Sequence, residues 1–427
     1  MKASVDLYHQ QITNHLAHSA HPDWFKALQL TASKQLEAFN LPARSDEEWK
    51  YTRLDSFLNQ PFIPNQSNDA LSSFVHTQPG FEILASQRNN TLHLNQDFIA
   101  GLPKGVIVAP LLSALITHAH HVQPYLNQIL TTTHGFQALN TALMQTGLFI
   151  YVPKGVVIET PMVIQHYQNQ PENALHIRHL IVLDEGSQAN VIEHYQGEQT
   201  CCYFTNAVTE IYLDKNAQLT HYKIQEESMA AFHVGHLAVW QQENSQYDSH
   251  VVSLGGLWVR SDLTAELKET KATCLMNGIY LPAMTQHIDH HTTVTHHVPA
   301  CRSDQDYKGI LAERACAVFN GKVKVVKYAN HTEAQQQNKN MLLSDLAQIM
   351  TKPQLEIFAD DVVCTHGATV GQLDEDALFY LTSRGINAQK AQSYLLKAFI
   401  FENLKRIPMT MVASWITDLI NQKVTYD

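Results

Sequence analysis

The chain contains 427 residues, of which 44% are hydrophobic, and this is enough for two or three ordinary globular cores. Its formal charge is −11, from 29 basic and 40 acidic residues, and no cluster of lysines and arginines interrupts this balance, which argues against a nucleic-acid groove. The N-terminus lacks the apolar core of a signal peptide, and the longest mostly apolar run, residues 106–116, is too short to span a bilayer.

The first part of the chain has helical patterns. Apolar side chains recur at roughly helical spacing between residues 5 and 58, and Ser45 and Glu48 stand in the register of a capping box. Further helical signal runs over residues 111–144. These patterns predict a mostly helical N-terminal domain over residues 1–146.

At Gly147 the sequence pattern changes to short β-type runs separated by small turns, and this pattern continues to residue 373. Two similar turn sequences begin 30 residues apart, at Leu183 and Leu213. Turns at a steady spacing between short strands predict stacked coils of a parallel β-solenoid over residues 147–373, and a β-sandwich is the structural alternative. Helical patterns return over residues 374–427, so the expected fold is mainly β, with a helical domain at each end.

The six cysteines form no C-x-x-C pair, so neither a disulfide framework nor a zinc ribbon is predicted, and reduced thiols in the cytoplasm are expected. One cysteine nevertheless has a suggestive neighbour. If residues 351–373 form a strand, Cys364 and His366 share one face and stand about 7 Å apart along it. Thiolate and imidazole suit zinc and iron–sulfur centres, but two ligands do not complete a site. The competing interpretation is a buried structural cysteine beside a hydrogen-bonded histidine.

A histidine-rich stretch over residues 286–297 is the second candidate. On a strand, His287, Asp289, His291 and His297 would share one face and could hold a metal. Cross-strand hydrogen bonds explain the same residues without a metal, and we favour that interpretation. The sequence contains no phosphate-binding G-x-x-x-x-G-K-[ST] loop, so no ATP site is expected in this chain.

Several short motifs occur along the chain, at residues 47–52, 152–156, 307–309, 318–321, 340–344, 353–357, 359–362, 364, 366–371 and 379–386. Together these motifs resemble those of the SufB/SufD family of iron–sulfur cluster assembly scaffolds. SufB typically has an N-terminal cysteine cluster and a further cysteine where Asn338 stands here, so the sequence is more similar to the SufD branch. The resemblance implies a right-handed parallel β-helix flanked by helical domains.

The resemblance also implies partners and a site. His366, which matches the family's H-G-A-T motif, would lie at an interface with SufB and help to hold a transient iron–sulfur cluster shared with it, with Cys364 beside it as a further candidate ligand. The C-terminal helices would dock the ATPase SufC, through residues that include Tyr380, Arg384, Phe399 and Glu402. A homodimer is expected for the isolated chain.

Two other functions remain open at this stage. The chain could be a purely architectural subunit with no cluster ligand. It could also be a β-helix carbohydrate-active enzyme, since paired carboxylates such as Asp360 and Asp361 serve glycoside cleavage. Adjacent strand residues face opposite ways, however, so this pair is a weak candidate, and we expect no enzymatic activity.

Overall fold

Strands of the chain alternate between two long sheets. The computed structural model describes residues 2–18, 21–64 and 80–424. Within them, the first sheet has the strand order β19-β17-β15-β13-β11-β9-β7-β5-β1-β2. Its members are β1 (Ile83–Arg88), β2 (Thr91–Leu94), β5 (Met162–Gln168), β7 (Gln188–Gly197), β9 (Gln218–Glu226), β11 (Gln246–Ser253), β13 (Thr273–Tyr280), β15 (Arg302–Leu311), β17 (Thr332–Leu342) and β19 (Val362–Gln372).

The second sheet has the order β18-β16-β14-β12-β10-β8-β6-β4-β3. Its members are β3 (Ile107–Pro110), β4 (Leu148–Val152), β6 (Ala174–Leu183), β8 (Phe204–Leu213), β10 (Phe232–Gln241), β12 (Trp258–Leu267), β14 (His287–His296), β16 (Cys316–Val325) and β18 (Gln348–Ile357). From β4 onward each strand pairs in parallel with the strands two positions away in sequence. One strand from each sheet therefore makes one coil. The predicted parallel β-helix is confirmed, and the alternative, a β-sandwich, is wrong.

The repeated turns form the corners of the coils. Leu183 pairs with Leu213 in register, and the two similar turn sequences follow directly after them. Gly186 and Asn216 occupy equivalent places in these turns, with φ of 68° and 59°. Glycine and asparagine tolerate this left-handed backbone best, which explains why they recur at the corners.

The inside of the β-helix is a long hydrophobic core that includes several aromatic rings. Inward side chains from neighbouring coils pack on one another because the strands pair in register. Representative members are Val191, Leu213, Leu219, Leu237, Tyr247, Leu267, Met276, Tyr280, Ile288, Tyr307 and Phe319.

Helices precede and follow the β-helix, as the sequence predicts. They are α1 (Lys2–His18), α2 (Asp23–Phe39), a 3-10 helix (Glu47–Trp49), α3 (Asp55–Leu58), α4 (Gln96–Gly101), α5 (Leu111–Thr117), α6 (Ala119–Val122), α7 (Gly135–Leu143), α8 (Glu375–Ser383), α9 (Ala388–Lys405) and α10 (Thr410–Val424). The strands β1 to β3 lie within residues 83–110 and extend both sheets into the region predicted as the N-terminal helical domain. None of the helices in the described part of the chain is long and apolar enough to cross a membrane.

The predicted capping box at Ser45 and Glu48 is wrong. The helix there is a single 3-10 turn whose N-cap, Asp46, makes no capping hydrogen bond with its side chain. Glu48 instead accepts a hydrogen bond from Nδ2 of Asn320 at 2.7 Å and pairs with Nδ1 of His291 at 3.2 Å. The segment is therefore held by the outer face of the second sheet, and tertiary contacts decide its conformation.

The C-terminal helices cover the outer face of the first sheet. Apolar side chains of α9 and α10, including Leu396, Ile400 and Ile416, pack on outward residues such as Ile224 and Ile279. A buried pair of amides strengthens this contact. Nδ2 of Asn403 donates to Oδ1 of Asn277 at 2.7 Å, and Nδ2 of Asn277 donates to the carbonyl of Asn403 at 2.9 Å.

A buried ion pair fastens the N-terminal helices to the second sheet. Arg178 is fully buried, and its Nε and Nη2 donate to Oε1 of Glu210 at 3.0 and 2.5 Å. Glu210 also accepts from the backbone N–H groups of Asn127 and Leu130 at 2.8 and 2.9 Å. Both charges are thus paired and hydrogen-bonded, which a buried charge requires.

Replacing Arg178 by methionine should lower the free energy of unfolding by about 3–5 kcal/mol, because Glu210 would stay buried without its partner. Urea unfolding followed by circular dichroism measures the loss. Adding Glu210→Met should recover only part of it, since the N–H groups of Asn127 and Leu130 then lose their acceptor. Lys215→Ala, which breaks the exposed pair with Glu243, is the control and should leave the midpoint unchanged. Equal midpoints for Arg178→Met and Lys215→Ala would contradict this prediction.

Candidate functional site

The strand β19 carries both predicted ligands at the end of the β-helix. It pairs with β17, which places Cys364 beside Ala334 and His366 beside Gln336. On β17, Ala334 and Gln336 are buried, whereas Glu333, which points to the opposite face of the same strand, is exposed. In-register partners point the same way, so Cys364 and His366 face the inside of the last coil. Their predicted position on one face of a strand is confirmed.

Cys364 is half buried at the edge of a small apolar cluster. Its neighbours there include Val325, Ala329 and Ala334. Burial raises the pKa of the thiol, and a hydrogen bond from the backbone of Ala334 acts in the opposite sense. The free thiol is therefore mainly protonated at neutral pH, and a metal would have to displace its proton.

His366 is exposed and stands above a column of glutamines. Directly below it in the coil stack, Nε2 of Gln336 donates to Oε1 of Gln305 at 2.9 Å. That same oxygen accepts from Oγ1 of Thr292 at 2.7 Å. The buried Oε1 of Gln336 has no hydrogen-bond partner among the described residues. The column therefore offers a fixed acceptor below an imidazole whose other side is open to solvent.

The two side chains form an incomplete set of ligands. Among the described residues, the one group of at least three histidine, cysteine or acidic side chains close enough to share a metal is His134, His236 and Asp262. No third ligand from the described chain therefore joins Cys364 and His366. A metal centre at this place would need further ligands from outside the described residues.

The histidine-rich stretch forms β14 as far as His296, whereas His297 lies beyond the end of the strand and pairs with Glu266. On the outer face, Asp289 pairs with Nη1 of Arg260 at 2.7 Å and with His291 at 3.1 Å, and His287 contacts the hydroxyl of Thr52 at 3.1 Å. Burial raises the pKa of the Asp289 carboxyl, but Arg260 and His291 more than offset this and hold it well below its ordinary value. These residues bind one another, which is the arrangement that needs no metal.

The four predicted docking residues differ in their surroundings. Tyr380 is exposed, and the guanidinium of Arg384 lies 5.3 Å from the centre of its ring. Phe399 is partly buried, and its carbonyl accepts from Nζ of Lys308 at 2.7 Å. Glu402 is exposed but pairs with the same Nζ at 3.2 Å. Tyr380 and Arg384 are thus free to meet a partner, whereas Phe399 and Glu402 also hold α9 on the β-helix.

The sequence did not reveal the group formed by His134, His236 and Asp262. His134 comes from the loop before α7, and the other two residues lie side by side on β10 and β12. Their positions in sequence show no motif, because the contact depends on how the N-terminal region folds onto the sheet. Only the register between two coils could have linked His236 with Asp262.

Two family models match consecutive parts of the chain. The one described as SufBD protein N-terminal region matches residues 1–164. The one described as SUF system FeS cluster assembly, SufBD core domain, matches residues 166–399. The chain belongs to the SufB/SufD family. The division between the two matches falls within β5, the strand at which the long parallel stack of the first sheet begins.

Relatives of known name agree with this assignment. The chain is 32% identical over 389 residues to the iron–sulfur cluster assembly protein SufD of Escherichia coli, covering 86% of each chain. It is 26% identical over 423 residues to SufD of Bacillus subtilis, covering 94% of each. It is also 27% identical over 380 residues to the chloroplastic protein ABCI7 of Arabidopsis thaliana, covering 86% of this chain and 79% of that protein. The predicted resemblance to the SufD branch is confirmed.

Proposed function

We propose that this chain is a non-enzymatic scaffold subunit of the Suf iron–sulfur cluster assembly complex. In this proposal it pairs with SufB, docks the ATPase SufC and supplies His366, with Cys364 beside it, to a transient cluster. The observation that carries the proposal is the incomplete ligand pair on the last coil of a SufB/SufD-family β-helix. A cluster held by few ligands from each subunit is easier to pass on than one enclosed by a single chain.

The open end of the β-helix supports pairing with SufB. β18 and β19 are the terminal strands of their sheets, so each has one edge that pairs with no strand of the described residues. Exposed apolar side chains accompany these strands, including Phe358, Val363 and Val370. Unpaired strand edges with apolar neighbours favour association with another β-structure. The same edge would form a homodimer when the chain is isolated.

The exposed aromatic residues of α8 support docking of SufC. Phe379 and Tyr380 are 73% and 58% exposed, and α8 has no buried residue. Exposed aromatic side chains commonly become the main anchors of an interface. ATP hydrolysis would belong to SufC, because the sequence of this chain has no phosphate-binding loop. We propose that the complex works in the cytoplasm.

Replacing Phe379 and Tyr380 together by alanine should weaken binding of SufC by about tenfold or more, because two aromatic anchors are removed from the interface. Isothermal titration with purified SufC measures this affinity. Tyr328→Ala is a matched control, since Tyr328 is 72% exposed but lies in the turn between β16 and β17. The melting temperature should stay unchanged in both variants. Undiminished affinity for SufC in the double variant would contradict docking through α8.

A carbohydrate-active enzyme is the alternative from another class. Its candidate acids, Asp360 and Asp361, lie in the loop between β18 and β19, and Asp361 pairs with Nδ1 of His331 at 2.9 Å. A retaining or inverting pair needs two carboxyl groups facing each other across a bond. Turnover of a polysaccharide by the isolated chain would favour this alternative over the scaffold.

The direct test is co-purification with SufB and SufC, followed by anaerobic cluster reconstitution. A stable complex that assembles a cluster supports the proposal. Failure to bind either partner would overturn it.

A further inference from the structure

A cavity of about 700 Å³ separates the N-terminal region from the outer face of the second sheet. Three potential metal ligands meet in its wall. His134 enters from the loop before α7, and His236 and Asp262 are register partners on β10 and β12. One ligand atom from each lies within 4.8 Å of the other two. The group is far from Cys364 and His366 in the coil stack, and none of its members takes part in the proposed cluster site.

Three polar atoms of this group lack the hydrogen-bond partners that buried atoms normally have. His134 exposes 9% of its surface, yet neither ring nitrogen has a hydrogen-bond partner among the described residues. The same is true of Oδ2 of Asp262. Buried nitrogens and carboxylate oxygens are nearly always satisfied, so these atoms call for a ligand.

The distance between them indicates what that ligand is. Nε2 of His134 and Oδ2 of Asp262 are 3.7 Å apart, which is within the range of an ion pair but too long for a hydrogen bond. Two ligand atoms that each lie about 2.0–2.2 Å from one tetrahedral metal ion are themselves separated by roughly 3.5 Å. The gap is therefore close to that between two ligands of a single small cation.

The neighbouring residues orient the carboxylate. Nε and Nη2 of Arg260 donate to Oδ1 of Asp262 at 3.0 and 2.8 Å, which leaves Oδ2 free for the metal. Such partners commonly fix the first ligands of a metal. The positive charge of Arg260 is itself paired with Asp289 at 2.7 Å, so it does not stand uncompensated beside a cation.

We propose that His134, His236 and Asp262 bind a divalent transition-metal ion of the zinc or ferrous class. Two imidazoles, one carboxylate and an open side toward a cavity are the donor set these ions prefer. The ion joins the loop before α7 to two coils of the β-helix. The ion is therefore a structural metal that cross-links the N-terminal region to the second sheet.

His236 sets the condition for binding. Its Nδ1 now accepts from Nε2 of Gln137 at 2.7 Å, and its Nε2 contacts the hydroxyl of Thr264 at 3.1 Å. In this proposal the ion binds Nε2 in place of the Thr264 hydroxyl, which requires the proton on Nδ1, so the amide of Gln137 must reverse to accept it. The reversal costs the hydrogen bond from the backbone N–H of Thr133 to Oε1 of Gln137.

This condition gives a test by gain of affinity. Gln137→Glu places a carboxylate beside Nδ1 of His236 and can still accept from Thr133, so it favours the metal-binding tautomer. We expect it to tighten binding about tenfold, as carboxylate partners of metal-bound histidines do. His134→Ala should weaken binding about a hundredfold or more, because a ligand is lost.

The experiment uses the full chain carrying Cys364→Ala and His366→Ala, so that ions at the last coil do not contribute. After removal of bound metal with a chelator, Co²⁺ is titrated and followed by its visible absorption, and Zn²⁺ and anaerobic Fe²⁺ compete for the site. Metal should also raise the melting temperature unless His134 is replaced. Circular dichroism without metal confirms that each variant folds. A silent Co²⁺ titration, or equal affinity with His134→Ala, would overturn the site. Equal affinity with Gln137→Glu would exclude coordination of the ion through Nε2 of His236.

Discussion

Replacing His366 by alanine is expected to reduce the amount of cluster assembled by the complex with SufB and SufC by about tenfold or more. The imidazole is an exposed donor on the open coil, and loss of a ligand or of its orienting partner commonly weakens a metal site by this order. The complex itself should form normally, because His366 makes no hydrogen bond or ion pair in the described structure. Anaerobic reconstitution, with iron and sulfide counted per complex, measures the effect.

Two further variants make this result interpretable. Thr365→Ala changes the neighbouring residue, whose side chain points away from the inside of the coil, and should assemble clusters normally. Cys364→Ala asks whether the half-buried thiol is a second ligand or part of the apolar cluster around Ala334. Loss of the whole complex with His366→Ala would make His366 a structural residue. Undiminished assembly with both Cys364→Ala and His366→Ala would leave the chain purely architectural.

The β-helix could be predicted because its signals are local and repeated. The turns after Leu183 and Leu213 need a residue that accepts positive φ, and both the spacing and the glycine or asparagine are visible in sequence. The helices at the two ends have equally local patterns. The capping box predicted at Ser45 and Glu48 did not form, because a capping hydrogen bond stabilises the chain less than the contacts that Glu48 makes with Asn320 and His291.

The candidate sites also differ in whether local sequence or distant contacts bring their residues together. Cys364 and His366 are two residues apart on one strand, so alternation alone places them on one face. His134 and Asp262 are brought together only when the N-terminal region folds onto the second sheet, and no local pattern encodes that contact. Docking through Tyr380 was suggested by family resemblance, and its exposure could be seen only in the structure.

Acid should destabilise this protein strongly, beginning just below neutral pH. Burial lowers the pKa of His176 and His290 to about 3 and that of His296 to about 4. Below pH 6.5 the unfolded chain therefore binds protons that the folded chain does not, and stability falls until the pH reaches the folded values. At pH 5 each of these histidines should cost about 2 kcal/mol, so that together they approach the whole stability of an ordinary domain.

Protonation of the buried carboxylates lowers the stability only at a lower pH than protonation of the histidines. Burial raises the pKa of Asp289, but Arg260 and His291 depress it well below its ordinary value, so its contribution is present above about pH 4 and is lost only as the pH falls further. The loss between pH 6.5 and 5 therefore belongs to the histidines. Urea unfolding at pH 7.5, 6.0 and 5.0 should show the free energy of unfolding falling across this interval.

His290→Leu isolates one of these histidines. His290 lies between the rings of Tyr280 and Tyr307, at 5.3 and 5.6 Å, and its Nε2 has no partner in the described structure. Asp289 raises its pKa and Lys223 lowers it, and the weaker effects of His291 and Asp262 are also opposite in sign. Leucine fills similar space without a proton site, so the variant should match the wild type at pH 7.5 and exceed it by about 2 kcal/mol at pH 5. His120→Gln, at an exposed histidine, is the control. Parallel curves for His290→Leu and the wild type would mean that His290 does not oppose folding in acid, and the loss would have to come from other buried groups.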